Sequence, residues 1–161
     1  PLSRMRRSRP WNRRRAQRGW FYFAAAHLAT GARVALIDID YHHGNGTQDI
    51  FYESAEVFFV SLHADPSYQY PLFWGYADER GTGAGEGLNR NFPLPPGTGD
   101  DTYLAALDRA LALIADFDPA YLVVSAGLDI YGADPLEIGI LRRLESPGSA
   151  RGSPPPAGPR C

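Results

Sequence analysis

The chain has 161 residues, is 44% hydrophobic and 12% aromatic, and carries a formal net charge of -2. That length suits one domain with a core, and that charge argues against direct nucleic-acid binding. The one Cys, Cys161, stands last, so no internal disulfide or thiolate metal cluster can form, and a metal would be held by His and carboxylate.

The small net charge conceals an asymmetry. Residues 1–37 hold nine Arg and no acid, residues 38–145 hold all 18 acids and five Arg, and residues 146–161 hold two Arg, giving +9, -13 and +2. Every basic residue is Arg. No apolar run reaches the length of a membrane span, and the basic start lacks the hydrophobic segment of a secretory signal, which points to the cytoplasm. Three zones follow: a basic, disordered stretch at 1–18, a folded domain at 19–143, and a Pro-, Gly- and Ser-rich disordered tail at 144–161.

In chain order, residues 20–29 (WFYFAAAHLA) predict a short helix ending near Gly31. The apolar, β-branched run Val34–Asp40 predicts a buried strand, Thr47–Tyr52 a helical turn, and Val57–His63 a second buried strand. Gly- and Pro-rich sequence from Ala64 to Gly99 predicts a long loop, a length that usually serves function. Residues 101–117 predict the clearest helix, with Leu104, Leu107, Leu111 and Ile114 on one apolar face, Asp100 or Asp101 as its cap, and Pro119 beyond its end. Tyr121–Ala126 predicts a third buried strand. Strands alternating with helices imply an α/β fold with a parallel sheet, three-layered, with helices on both faces.

Sites in such sheets form at the carboxyl ends of the strands, and polar residues cluster there. Asp38, Asp40, His42 and His43 close the first strand, Ser61 and His63 the second, and Asp129 follows the third. Alternate strand residues point the same way, so continued strand geometry would put Asp38, Asp40 and His42 on one side. A divalent cation offsets the cost of clustering such carboxylates. Asp40 and His42 make half a site, which Asp129 can complete. Two carboxylates and one imidazole suit zinc and leave coordination space for water and a substrate oxygen, the arrangement of an amide hydrolase. Two other readings stay open on these residues alone. Such Asp residues also cap loops and helices, and D-x-D at a strand end also serves magnesium-dependent phosphoryl or glycosyl transfer.

The segment IDIDYHHGNGTQDIFYE at 37–53 resembles the metal motif of the histone deacetylase superfamily, and is most similar to the acetylpolyamine amidohydrolases and class II-like bacterial deacetylases. The resemblance continues through VFFVSLHADP (57–66), FWGYADERGTGAGEG (73–87), NFPLPPGT (91–98) and VVSAGLDIYGADPL (123–136), and covers roughly 19–141. It implies the arginase–deacetylase fold, here incomplete. It implies zinc on Asp40, His42 and Asp129, and Asp38 as the residue that orients a catalytic His. It also implies a monovalent-cation site, usually potassium, from Asp38, Asp40, His42, Ser61 and the backbone at Leu62. Tyr70 aligns with an aromatic residue, typically Phe, that lines the acyl-lysine tunnel. His43, His63 and His27 read as structural. The implied substrate is acetyl-lysine or an acetylpolyamine, and the implied assembly a homodimer.

The family's His-His pair and its Gly-Gly-Tyr motif find no counterpart in this sequence, so no catalytic acid–base residue is assigned. Loss of a general base costs about 10²–10⁴-fold. The alternative function is therefore a non-catalytic remnant that keeps metal binding only. Both ends pass into Arg- and Pro-rich sequence, as a frameshifted reading of a G+C-rich gene would produce. An incomplete sheet would also expose apolar surface and lower solubility.

Overall fold

The structure, a computed structural model, describes residues 31–130. The expected helix at 20–29, His27, both terminal zones and the end of the last motif lie outside the described residues.

Among the described residues, four strands form one parallel sheet: β1 (Val34–Asp38), β2 (Val57–Ala64), β3 (Asn89–Leu94) and β4 (Tyr121–Ser125). Their spatial order is β3-β2-β1-β4. Helix α1 spans Asn45–Phe51 and helix α2 spans Asp100–Phe117. The register sets Asp38 between Ser61 and Ser125, so the carboxyl ends of three neighbouring strands share one rim.

Every residue of β1 and β2 is buried, as their apolar runs require. Alternate residues serve opposite faces. Ala35, Ile37, Phe58, Val60, Leu62 and Leu94 pack under α2, against Tyr103, Ala110, Ile114 and Phe117. Val34, Leu36, Val57, Phe59 and Val123 form a smaller cluster on the other face, joined by Phe51 of α1. Helices thus lie on both faces of a parallel sheet, as the sequence predicts.

Five expectations need correction. The predicted loop from Ala64 to Gly99 contains β3, which pairs with β2 at the sheet edge. Asn89 and Asn91 form one of its faces while Phe92 and Leu94 turn to α2, so no apolar run announces it, and its Pro93 is tolerable because the strand is an edge. The first strand stops at Asp38 rather than Asp40, and the chain bends through residues 40–42. The third strand is not buried throughout, since Tyr121, Leu122 and Val124 are 43–48% exposed. Helix α2 buries Tyr103, Ala110, Ile114 and Phe117, while Leu104 and Leu111 are exposed. Its N-cap is Gly99, without a side-chain cap, and Asp100 and Asp101 lie in its first turn, where carboxylates favour the helix dipole. At its other end Asp118 adopts the left-handed conformation. The Arg33 guanidinium donates to the Phe117 carbonyl and covers the Phe117 ring at 4.1 Å, a cation at the negative helix end.

Candidate metal centre

The bend after β1 is built by its own carboxylates. The Asp40 amide donates to Asp38 Oδ1 at 3.1 Å, and the His42 amide donates to Asp40 Oδ1 at 2.7 Å. Such side-chain-to-backbone bonds turn the chain in place of a continued ladder. The Ile39 amide donates to the Ser125 carbonyl at 2.9 Å and ties the bend to the end of β4. A short 3-10 turn at Leu128–Ile130 then carries Asp129 towards it. The Tyr41 amide donates to Asp129 Oδ1 at 3.2 Å, and His42 Nδ1 lies 2.9 Å from Asp129 Oδ2.

Asp40, His42 and Asp129 therefore converge, with one donor atom from each within 4.8 Å of the others. The convergence comes from a bend and a turn, not from strand alternation. All three are half-buried. Burial and the nearby Asp129 carboxylate push Asp40 above the usual carboxylate range. The backbone makes room for the cluster: a β-carbon on Gly127 would overlap Asp40 Oδ2 and stand 2.7 Å from Asp129 Oδ1. Two carboxylates crowded around an imidazole nitrogen, over a glycine that leaves the space open, fit a divalent cation.

Asp38 lies beneath this cluster and is buried. Burial pushes its carboxyl up to about 6, against the lowering effect of the Asp40 amide. A β-carbon on Gly44 would overlap its Oδ2, so α1 starts directly against it. Of the residues expected to share a monovalent cation, Asp38 and Ser61 are register partners, and Asp40 and His42 stand above them. Leu62 is fully buried with its side chain under α2, so only its backbone could contribute. Tyr70 is 62% exposed, and its ring stands edge-on to His42 with centroids 6.2 Å apart.

The rings of His43 and His63 pack against one another at a tilt, with centroids 4.3 Å apart, and both are buried. Their protons follow from their partners. His63 Nε2 must donate to the Gly75 carbonyl at 3.0 Å, which leaves Nδ1 to accept from Ser61 Oγ at 2.8 Å. Ser61 Oγ then accepts from His43 Nδ1 at 3.2 Å. Burial holds both rings neutral, lowering His63 to about 4 and His43 to about 3, the latter helped by its neighbour. Gly127, Gln48 and Glu79 were not singled out from sequence. Glycines and amides carry no metal signal of their own, although Gly127 stands inside the quoted SAGLD stretch.

Against known proteins, the histone deacetylase domain matches residues 21–141. The chain belongs to the histone deacetylase family. This histone deacetylase family chain is 55% identical over 127 residues to acetylpolyamine amidohydrolase 1 of Pseudomonas aeruginosa, covering 78% of this chain and 36% of that relative. It is 45% identical over 105 residues to a probable deacetylase of Archaeoglobus fulgidus, covering 65% of this chain and 28% of that one. Among solved structures, the acetylpolyamine aminohydrolase of Burkholderia pseudomallei superposes with a TM-score of 0.69 at 42% identity, over 74% of this chain and 34% of that one. An HDAC homolog of Aquifex aeolicus gives 0.69 at 34% identity, over 73% and 32%. The parallel-sheet fold is thus the family's, and the chain spans about a third of the length of the relatives it matches.

Proposed function

We propose that Asp40, His42 and Asp129 hold zinc, and that the protein this chain represents hydrolyses N-acetyl amines. Acetylpolyamines are the substrate class, with acetyl-lysine the other candidate. The convergence of two carboxylates and one imidazole over Gly127 carries this reading. The names of the Pseudomonas and Burkholderia relatives support the polyamine choice. Bound zinc supplies the Lewis acidity that polarises an acetyl carbonyl and brings the pKa of water to about 7.

The chain's own residues act around that centre. Asp38 pins the Asp40 amide and so orients the first carboxylate. Its implied role towards a catalytic His belongs to the same proposal. Potassium, shared by Asp38, Asp40, His42, Ser61 and the Leu62 backbone, would balance the carboxylates. Tyr70 offers an aromatic wall beside His42 for an amine chain. A cytoplasmic setting suits a sequence whose single Cys forms no internal disulfide. A homodimer is part of this reading and is checked by sedimentation. So is the division into a domain at 19–143 flanked by segments 1–18 and 144–161, which limited proteolysis checks.

The second reading, metal binding without turnover, is favoured by one observation. His43 and His63 are buried away from water, and that burial makes both rings weak bases, so neither is suited to take a proton from water in the site. Metal analysis and a fluorogenic acetyl-lysine assay, run beside N-acetylputrescine, separate the two. We expect one zinc per chain, and Asp129→Ala to weaken zinc binding by at least about 100-fold, beyond the cost of losing an outer partner. A chain that takes up no zinc would falsify the site. Zinc without turnover leaves the second reading standing.

A further inference from the structure

The stretch from Tyr68 to Tyr76 displays several large apolar side chains close to His42. Tyr70, Leu72, Phe73 and Trp74 are all exposed, Phe73 the most at 65%. Apolar side chains displayed together mark a binding surface. Phe73 also holds φ at +78°, a conformation that persists only where the surroundings fix it. The stretch is held by hydrogen bonds at both of its ends.

At the first end, the Tyr68 hydroxyl donates to the Leu94 carbonyl at 3.0 Å, and the Gln69 amide reaches the Tyr41 hydroxyl at 3.4 Å. At the second end the anchors converge on Gly75. Its carbonyl accepts from His63, and its N–H donates to Glu79 Oε2 at 2.9 Å. Its φ is +102°, and a β-carbon there would stand 2.6 Å from His63 Nε2 and 2.8 Å from His43 Cγ. Only glycine fits between those rings in that conformation.

Glu79 is itself held from the core. Its Oε2 accepts from Gln48 Nε2 at 2.6 Å. Gln48 is buried in α1, and its Oε1 accepts from Asn89 at 3.0 Å and Asn91 at 2.8 Å. The same two Asn amides donate to the carbonyls of Glu79 at 2.6 Å and Tyr76 at 3.1 Å. One carboxylate oxygen therefore joins α1 and the inner face of β3 to the single glycine that ends the aromatic stretch.

We propose that Glu79, backed by Gln48, is a positioning residue that fixes the stretch Tyr70–Trp74 beside Asp40, His42 and Asp129 through Gly75, and thereby sets how tightly an acetylated amine is gripped. The inference rests on the reading of that trio as the metal centre of an amide hydrolase. Neither Glu79 nor Gln48 belongs to the trio. Losing the Glu79 carboxylate strands two donors at once, the Gly75 N–H and the Gln48 amide. Glu79→Gln keeps an oxygen that can accept from both.

The test compares the full wild-type chain with Glu79→Ala and Glu79→Gln by hydrogen–deuterium exchange, zinc competition and N-acetylputrescine calorimetry. In Glu79→Ala we expect exchange across residues 70–76 to rise about tenfold or more, with β1 and β2 unchanged. Glu79→Gln should stay near wild type. Zinc affinity should hold within about twofold, because no ligand moves, while N-acetylputrescine affinity falls about tenfold. The proposal is overturned by wild-type exchange at 70–76 in Glu79→Ala, or by a uniform rise over the whole sheet. Equal N-acetylputrescine affinity in the two proteins, including none in either, overturns it as well. A wild-type chain that takes up no zinc sinks the metal reading separately, because the exchange comparison needs no metal.

Discussion

The two faces of the sheet are built from different chemistry. The face under α2 is apolar from end to end along β1 and β2, running Ala35, Ile37 on one strand and Phe58, Val60, Leu62, Ala64 on the other. The opposite face begins apolar with Val34, Leu36, Val57 and Phe59, then changes to Asp38, Ser61 and His63 at the carboxyl ends. On β3 that face is Asn89 and Asn91. Burial of one face is non-directional and tolerant, whereas the other depends on directional hydrogen bonds. The first holds the sheet together and the second aims residues at the rim. The distinction predicts different failures on the two sides.

The largest effect should come from the α2 face. Leu62 is fully buried there, beside Ser61 on the other face. Leu62→Ala should cost about 2–5 kcal/mol of stability in denaturant unfolding, from lost burial and the cavity left behind. The fraction that remains folded should bind zinc as wild type does. Unchanged stability would mean that the α2 face is not what holds the sheet.

The polar face should announce itself through pH. In the metal-free chain, His63 and His43 titrate at about 4 and about 3 when folded, against 6.5 when unfolded. Between those values the unfolded chain binds more protons, so stability rises with pH. It is fully present above about 6.5 and is lost as pH falls towards 4. Asp38 opposes this: its folded value of about 6 stands above the unfolded 3.8, so its contribution is present at low pH and is lost as pH rises through 6. Two histidines against one strongly raised carboxyl leave a net loss on acidification. Each uncompensated proton is worth about 1.4 kcal/mol per pH unit. His63→Gln, whose amide can still donate to Gly75, should flatten the slope by about one proton. An unchanged slope would show that His63 is not the titrating group.

The same contrast explains what could be read from sequence. The strands β1 and β2 were legible because both faces are largely apolar, and the candidate ligands because charge at a strand end needs a partner. Strand-end logic offered Asp129 as the completing ligand and the resemblance made it specific, since nothing in its local sequence ties it to His42 across 87 positions. The edge strand β3 was illegible because one of its faces is Asn89 and Asn91, which read as loop. The bend at 40–42 was missed because it depends on carboxylates turning back onto amides, not on a turn dipeptide. Glu79 was invisible for a related reason: its role lies in which backbone groups it meets, 31 positions from Gln48.

The smallest expected effect concerns α2, where sequence and structure choose different stripes. Leu104, Leu107, Leu111 and Ile114 repeat at spacings of three and four, and so do Tyr103, Leu107, Ala110, Ile114 and Phe117. The two stripes share Leu107 and Ile114, so periodicity alone does not separate them. Residue size does. Ala110 is fully buried where the helix comes close to the sheet, and the Phe117 ring packs tilted against Phe58 with centroids 5.2 Å apart. Leu104 is turned away and 43% exposed. Leu104→Gln should therefore change stability by less than about 0.5 kcal/mol. Ala110→Leu, which adds volume where the surface is closed, should cost about 1–3 kcal/mol. A loss above 1 kcal/mol at Leu104 would show that its side of the helix is covered in solution, and would return the buried stripe to the one that leucine spacing suggests.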